Sequence, residues 1–459
     1  MTEQVSQEEE SRHSIEWPTH PLRHIAKTMN SNIDKLSKSG ELPVRLCNYV
    51  DVYRSSMIGE GLPFMRATAT KSEVTRFRLH EGDVIITKDS ESWLDIGVPS
   101  LVVYEAEDLV CGYHLCVLRP RDSVMTGPFL ARALTVPAIA NQLHTAAKGV
   151  TRYGLSQSAI RSVQIPVPSL GEQKLVNRYL DNAELRIARA IQAKATQLDK
   201  LIELRSALVA REVLGIDQTK VLNQYLPFRV PAHWPVVPLW SLAPVRSDSG
   251  HATEQLLSVY LRRGVILYSE SGGQVHKPSA SLDAYQLVEP GDLVLNNQQA
   301  WRGSVGVSSY RGIISPAYVV LAFSAQIDRH WANFLFRSPA MVSQYVQVSR
   351  GVGSIQRQLQ MSGLRRVMVP LPPIEEQRAI SDRLVSMTQG LDDASAAIQK
   401  EVTLLREYRT RLIADVVTGK KDIRAEAARL PDVDPRELAS VLSGVVSSEE
   451  DEVGDADAD

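Results

Sequence analysis

The chain has 459 residues, 44% hydrophobic and 23% charged, with a formal net charge of −2 and three cysteines. It is longer than the size at which one core keeps growing, so two or more domains are expected. No stretch approaches the roughly 20 apolar residues of a membrane helix. Cys47, Cys111 and Cys116 are too few and too odd in number for a disulfide framework. The start, MTEQVSQEEESRHS, has no basic-then-apolar run of a secretion signal. The expectation is a soluble protein of the reducing cytoplasm with no membrane partner.

The near-zero net charge hides an asymmetry. Residues 425–459 hold eleven acidic and two basic side chains, a net of −9; against the whole-chain −2, the rest carries +7. The body is basic, as a nucleic-acid binder requires. The acidic end, closing in SSEEDEVGDADAD, reads as a disordered tail from residue 419.

In chain order, RFRLH, DVIIT and SLVVYEAEDLVCGYHLCVLRP carry β-branched and aromatic runs bounded by Gly, Pro and Asp, the pattern of short strands. PFLARALTVPAIANQLHTAA reads as helical around its proline. From Glu172 to about Val213 there is no Pro or Gly. Ile187, Ile191, Leu198, Leu201 and Leu208 then recur in steps of three and four, with Lys194 and Arg205 in the same seam. A second globular part follows, with QLVEPGDLVLNN and GIISPAYVVLAF as strands and HWANFLFRSPAMVSQYVQ as helix. A second helix is predicted from Ile374 to about Val417. In it Leu384, Leu391, Ile398, Leu405 and Leu412 recur every seven residues. About forty residues of helix span roughly 60 Å, more than a small domain is wide, so each seam needs a partner, and the other helix is the obvious one.

The order of parts is written twice. IPVPSLGEQ (165–173) matches VPLPPIEEQ (369–377), with Pro166, Pro168, Glu172 and Gln173 against Pro370, Pro372, Glu376 and Gln377. KGVTRYGLSQSAIRSV (148–163) has a looser counterpart in RGVGSIQRQLQMSGLRRV (350–367), and EGDVIIT (81–87) in PGDLVLN (290–296). Three blocks in the same order, each set before a long helix, make a duplicated unit of about 200 residues.

The paired PVPSLGEQ and PLPPIEEQ segments, the GVTRYGLSQSAI block, the two helices and FRVPAHWPVVPLWSLA at the opening of the second half resemble the specificity subunit of type I restriction-modification enzymes. Gly171 stands where the second copy has Glu375, and GVGSIQ where the first has GVTRYG. The resemblance implies an α+β fold of two tandem mixed α/β target-recognition domains, each followed by a long helix, the two helices packing as an antiparallel coiled coil. The expected boundaries are 1–170 and 231–372 for the recognition domains, 171–214 and 373–418 for the helices, 215–230 for a linker and 419–459 for the tail. It further implies that each domain reads one half of an asymmetric split DNA site. Two methyltransferase subunits and the restriction subunits would dock on the chain. No cofactor is expected here: S-adenosylmethionine belongs to the methyltransferase and ATP to the restriction subunit.

Arg and Lys suit phosphates and guanine edges, and Asn and Gln suit adenine edges. The candidate DNA contacts are Arg66, Lys71, Lys88, Lys148, Arg152 and Tyr153 in the first half. In the second they are Asn297, Gln298, Gln299, Arg302, Arg311, Arg350, Gln356 and Arg357. The cluster NNQQAWRG is the strongest single segment.

The sequence has no Walker phosphate loop, GxGxxG, HExxH or Asp/Asn-Pro-Pro-Tyr, so a catalytic centre is not expected. CGYHLC (Cys111, His114, Cys116) reads as buried strand cysteines rather than a zinc site, because strand alternation turns neighbours to opposite faces. Two other readings stay open on the residues alone: a DNA-reading subunit of another restriction-like defence system, and a non-catalytic coiled-coil scaffold that binds proteins.

Overall fold

The computed structural model describes residues 15–215, 220–261, 263–270, 278–279, 281–352 and 356–443. The chain divides into two compact units. One is the chain up to Ala195 together with the segment from Lys400, and the other is Thr196–Gln399. The division falls inside both long helices, Leu170–Glu212 and Ile374–Val417, so each unit holds half of each.

In the first unit a five-stranded sheet runs in the order Ala26–Asn30, Leu115–Pro120, Val84–Thr87, Pro99–Val102, Met57–Ile58. It is antiparallel except at the last pair. Alternation along its strands divides the core in two. Val84, Ile86, Cys116 and Leu118 face a core shared with the helices Gly127–Thr135 and Pro137–Ala146 and both long-helix segments. Ile85 and Val117 face a second core, shared with the three-stranded sheet of Met65–Ala69, Leu42–Cys47 and Leu109–Cys111. The second unit repeats the plan in smaller form. Leu293–Asn296 pairs antiparallel with Val305–Val307 and Tyr318–Leu321. Leu293 and Leu295 turn to a core shared with the helices Arg329–Phe336 and Pro339–Gln347, and Val294 to the opposite one.

The duplication extends to individual hydrogen bonds. Gln173, fully buried, accepts from the Thr126 amide at 2.8 Å and donates to the carbonyls of Val124 (2.8 Å) and Pro168 (2.9 Å). Gln377 accepts from the Asp328 amide at 2.8 Å and donates to the carbonyls of Gln326 (2.9 Å) and Pro372 (2.8 Å). The glutamine of each PxP segment thus ties the helix start to the loop before the packed helical pair. The PxP strands also match, Gln164–Pro166 pairing with Thr19–Pro21 and Met368–Pro370 with Val236–Pro238. Gln173→Ala and Gln377→Ala each orphan three backbone groups, one buried and two partly buried. Each is expected to cost about 2–3 kcal/mol in its own unit, read by denaturant unfolding; a loss below about 1 kcal/mol at both sites would mean that water replaces the amide.

Within each unit the helix segments run antiparallel. In the first, Tyr179, Glu184 and Lys194 meet Lys421, Arg409 and Glu401. In the second, Arg205 and Glu212 meet Asp392 and Arg383. Lys194 and Arg205 fit the seam through these ion pairs. Of the seam residues, Ile187, Ile191, Leu198, Leu384, Ile398 and Leu412 are buried, and Leu201, Leu208, Leu391 and Leu405 are half-buried.

Three local expectations are corrected. RFRLH is not a strand: Lys71–Phe77 is helical, because Thr70 and Glu73 form a reciprocal capping box. The tail is not disordered from residue 419. Ile423, Ala427, Leu438 and Leu442 are buried in the first unit's core, and Asp432 and Glu437 pair with Arg178 (2.7 Å) and Arg189 (2.5 Å) of the first long helix. Apolar residues at four-residue spacing and opposite charges outweigh the overall acidity there; residues 444–459, with the densest acidic run, lie outside the described residues. The linker is partly ordered: Lys220–Leu222 pairs with Arg229–Pro231, while 216–219 are not described.

Candidate nucleic-acid interface

In the first unit four of the six candidate residues come together. The short strand Asp89–Ser90 pairs with Tyr153–Gly154. The loop before it is closed by reciprocal hydrogen bonds between Lys148 and Gly154, N to O at 3.1 and 2.9 Å. Gly149, at φ 150°, makes this closure possible, since a Cβ there would stand 1.9 Å from the Arg152 carbonyl oxygen. The result is an exposed finger carrying Lys148 and Arg152, with Val150 at its tip 91% exposed and Tyr153 half-buried at its base.

Lys88 and Asp89 sit beneath the finger and form an ion pair. Asp89 also lies 3.4 Å from His114 Nδ1, and Arg152 Nη2 lies 3.0 Å from His114 Nε2. Burial and then the Arg152 and Lys88 charges hold His114 below its ordinary pKa, against the opposing pull of Asp89. His114 is therefore neutral near pH 7 and has a ring nitrogen free to accept from Arg152. Tyr113 packs on His114 at 3.7 Å between ring centroids.

Arg66 and Lys71 lie elsewhere, exposed on the strand Met65–Ala69 and at the start of the capped helix after it. Arg66 stands across from Arg45, which is committed to Asp108 at 2.7 Å.

The second unit builds a related site. A hairpin of Ser349–Val352 and Gln356–Leu359 lies beside the segment 297–302, joined by a hydrogen bond from Leu359 N to Asn297 O at 2.9 Å. Leu155 N donates to Lys88 O at the same 2.9 Å in the first unit. The repeat in register thus sets Asn297 where the first unit has Lys88. Arg357 stacks over Trp301, 5.1 Å from the ring centroid, and Trp301 Nε1 donates to Gln298 O at 2.8 Å. Gln298, Arg302 and Arg350 are exposed and Asn297 half-buried. The side chain of Gln356 lies outside the described residues.

Two nominated side chains are placed differently from the expectation of open surface donors. Gln299 is buried at 8% exposure, because the 3-10 turn Ala300–Arg302 folds its neighbour Ala300 into the core. Arg311 is clamped between Glu254 (2.9 Å) and Glu289. A guanidinium already paired with two carboxylates is a weak donor to phosphate.

His114 and Asp89 were not nominated as DNA residues from the sequence. The signal was the EGDVIIT/PGDLVLN match: extended by three residues to KDS/NQQ, it places Lys88 and Asp89 opposite Asn297 and Gln298. Asp83 and Asp292 of the same blocks each close their turn, on His80 N (3.0 Å) and Glu289 N (2.8 Å). Each also takes a bidentate arginine, Arg119 and Arg246 respectively.

Cys111 and Cys116 are both fully buried on strands, and burial pushes the Cys116 thiol up to about 12, while His114 turns outward to Asp89 and Arg152. Among the described residues no group of His, Cys, Asp and Glu is arranged to hold a metal ion. No helix there is long and apolar enough to cross a membrane. What each unit presents is an exposed loop bearing cations and a neighbouring segment bearing polar side chains and aromatic rings. This is chemistry that binds phosphates and reads base edges.

Comparison with known proteins gives the same direction. Residues 35–197 match the type I restriction modification DNA specificity domain. The chain is 21% identical over 414 residues to a putative type I restriction enzyme MjaX specificity subunit of Methanocaldococcus jannaschii, covering 88% of this chain and 93% of that one. It is 21% identical over 322 residues to the MjaVIII specificity subunit of the same organism, covering 66% and 72%. A solved chain from work on complex assembly and conformational transition of the type I R-M system shares the fold. It has a TM-score of 0.58 at 16% identity, over 88% of this chain and 98% of that one.

Proposed function

We propose that this chain is a specificity subunit of a type I restriction-modification enzyme, a reading that its similarity to such subunits supports, and that its two units read the two different halves of a split DNA site. The observation that carries this reading is one backbone frame bearing two chemistries. The Leu155–Lys88 and Leu359–Asn297 hydrogen bonds are equivalent, yet one frame presents Lys88, Lys148 and Arg152 and the other Asn297, Gln298 and Arg357. The cations present in both frames suit phosphates and guanine, while the amides at 297 and 298, which stand where the first unit has Lys88 and Asp89, suit adenine, so the half-sites differ in sequence.

The chain itself supplies recognition and no catalysis. A partner methyltransferase, two copies per complex and carrying S-adenosylmethionine, flips out and methylates an adenine in each half-site. Restriction subunits carrying ATP join the same cytoplasmic complex. The paired long-helix segments are the docking surface for both.

The test is single-molecule methylation sequencing of DNA from cells with and without this gene, the partner methyltransferase being present in both. The expected result is a split, asymmetric, adenine-methylated motif that disappears with the gene. A short palindromic motif would overturn the two-half reading, and an unchanged methylome would favour a protein-binding scaffold. Arg357→Ala should relax specificity in one half of the motif only; equal loss in both halves would remove the second site from the reading.

A further inference from the structure

Arg152 is exposed on the finger of the first unit, and an exposed guanidinium on its long stem samples many rotamers unless a neighbour holds it. His114 is that neighbour. Arg152 Nη2 lies 3.0 Å from His114 Nε2 and 3.2 Å from Nδ1. His114 directly precedes the strand Leu115–Pro120, which is paired on both sides within the five-stranded sheet. Its carbonyl accepts from Lys88 N at 3.0 Å, and its Nδ1 lies 3.4 Å from Asp89 Oδ2. The ring is anchored at its root by the sheet and at one nitrogen by a carboxylate, and it presents the other nitrogen to the finger.

The charged and titratable groups facing the ring are Lys88 and Asp89 from the adjoining strand, Arg152 from the finger and Tyr113 from its own turn. Burial, the largest influence, combines with the Arg152 and Lys88 charges to lower the His114 pKa against the pull of Asp89. A neutral imidazole with Nδ1–H turned to Asp89 offers Nε2 as an acceptor. An imidazolium has no acceptor and repels a guanidinium. The contact with Arg152 therefore belongs to one protonation state only.

The second unit lacks this contact. Thr87 pairs with Leu115 in one sheet, and Asn296 pairs with Tyr318 in the matching one. Asn297 N donates to Ala317 O at 3.3 Å, as Lys88 N donates to His114 O. Ala317 thus occupies the position of His114, and its methyl side chain neither accepts a hydrogen bond nor titrates.

We propose that His114 is a positioning residue for the first half-site, holding Arg152 in place when neutral and releasing it when protonated, so that recognition of one half-site alone depends on pH. This rests on the reading of the finger as a DNA-contacting element. A guanidinium already oriented by a sheet-anchored partner loses less conformational freedom on meeting a guanine edge or a phosphate. Protonation of His114 also adds a positive charge, which by itself strengthens sequence-independent attraction to DNA. The loss is therefore read in discrimination between sequences and not in total affinity.

The experiment uses the assembled subunit and methyltransferase at fixed ionic strength. Labelled duplexes carry the motif found by methylation sequencing, or the same motif with a base changed in one half. The first half is the one whose discrimination Arg152→Gln lowers. In wild type, discrimination there should fall roughly tenfold from about pH 7.5 to about pH 5.5, while the other half holds constant. His114→Gln keeps a neutral acceptor at every pH and should match wild type at the higher pH, with no pH dependence. His114→Phe should discriminate poorly at both. NMR titration of the histidine-labelled full-length chain without DNA checks the contact itself: the His114 pKa should rise in Arg152→Gln. An unmoved His114 pKa, discrimination independent of pH in wild type, equal pH dependence in both halves, or dependence retained in His114→Gln would overturn the proposal. If Arg152→Gln lowers discrimination in neither half, the proposal falls with the DNA reading, and a persisting NMR shift would mark that reading, not the contact, as the failed link.

Discussion

Glu184→Gln is expected to destabilise the first unit by about 3–5 kcal/mol near neutral pH, the cost of breaking a buried ion network by removing one partner. Glu184 is 4% exposed and lies between two arginines. Arg132 donates to its Oε2 from Nε (2.9 Å) and Nη2 (2.8 Å), and Arg409 donates to its Oε1 from Nε (2.9 Å) and Nη2 (2.6 Å). Arg132 comes from the helix Gly127–Thr135, Glu184 from the first long helix and Arg409 from the second, so one carboxylate ties three elements together.

Burial alone would raise the pKa of Glu184. The two guanidiniums outweigh it and hold the carboxyl below its ordinary value. The sign of the pH dependence follows. A depressed folded-state pKa contributes stability above the unfolded-state value of about 4.3, and that stability is lost as pH falls through the lower folded value. The gap between wild type and Glu184→Gln should therefore be full at pH 6–7 and narrow below about pH 4. Thermal melts across pH 3–7 measure it; a gap independent of pH would show that lost packing, not charge, sets the cost. Asp181, bound to the same Arg132 at 2.5 Å, moves the other way because burial raises its pKa, so it weakens rather than reinforces the acid dependence.

Lys88→Gln, Lys148→Gln and Arg152→Gln combined should lower DNA affinity by roughly 10²- to 10³-fold at moderate salt. The slope of log affinity against log salt should fall by about two to three, near 0.9 for each phosphate contact removed. Lys148 and Arg152 are exposed on the finger and contribute most; Lys88, paired with Asp89, contributes less. Anisotropy of a labelled cognate duplex with the assembled subunit and its methyltransferase gives both numbers. An unchanged salt slope would remove the finger from the interface, whatever the affinity did.

Much of the fold was legible because its signals are local and periodic. The second long helix runs from Ile374 to Val417, the bounds its heptads and flanking prolines mark, and the proline in TVPAIA splits a helical pair at Val136. The site was legible only in part. Burial of Gln299 and the clamp on Arg311 depend on the turn at Ala300 and on Glu254, 57 residues from Arg311 in sequence.

By itself the sequence determined the duplication, the helices and the basic body, since repeats, periodicity and composition lie along the chain. It also marked the two glutamines, Gln173 and Gln377, whose matching partners follow from matching position. The tertiary structure decided which charges pair. Asp83 and Asp292 are equivalent in sequence, yet Asp83 takes its arginine from 36 residues after it and Asp292 from 46 before it. Ion pairs form wherever packing leaves complementary charges side by side in a poorly solvated place, and that is set by the folded core rather than by distance along the chain.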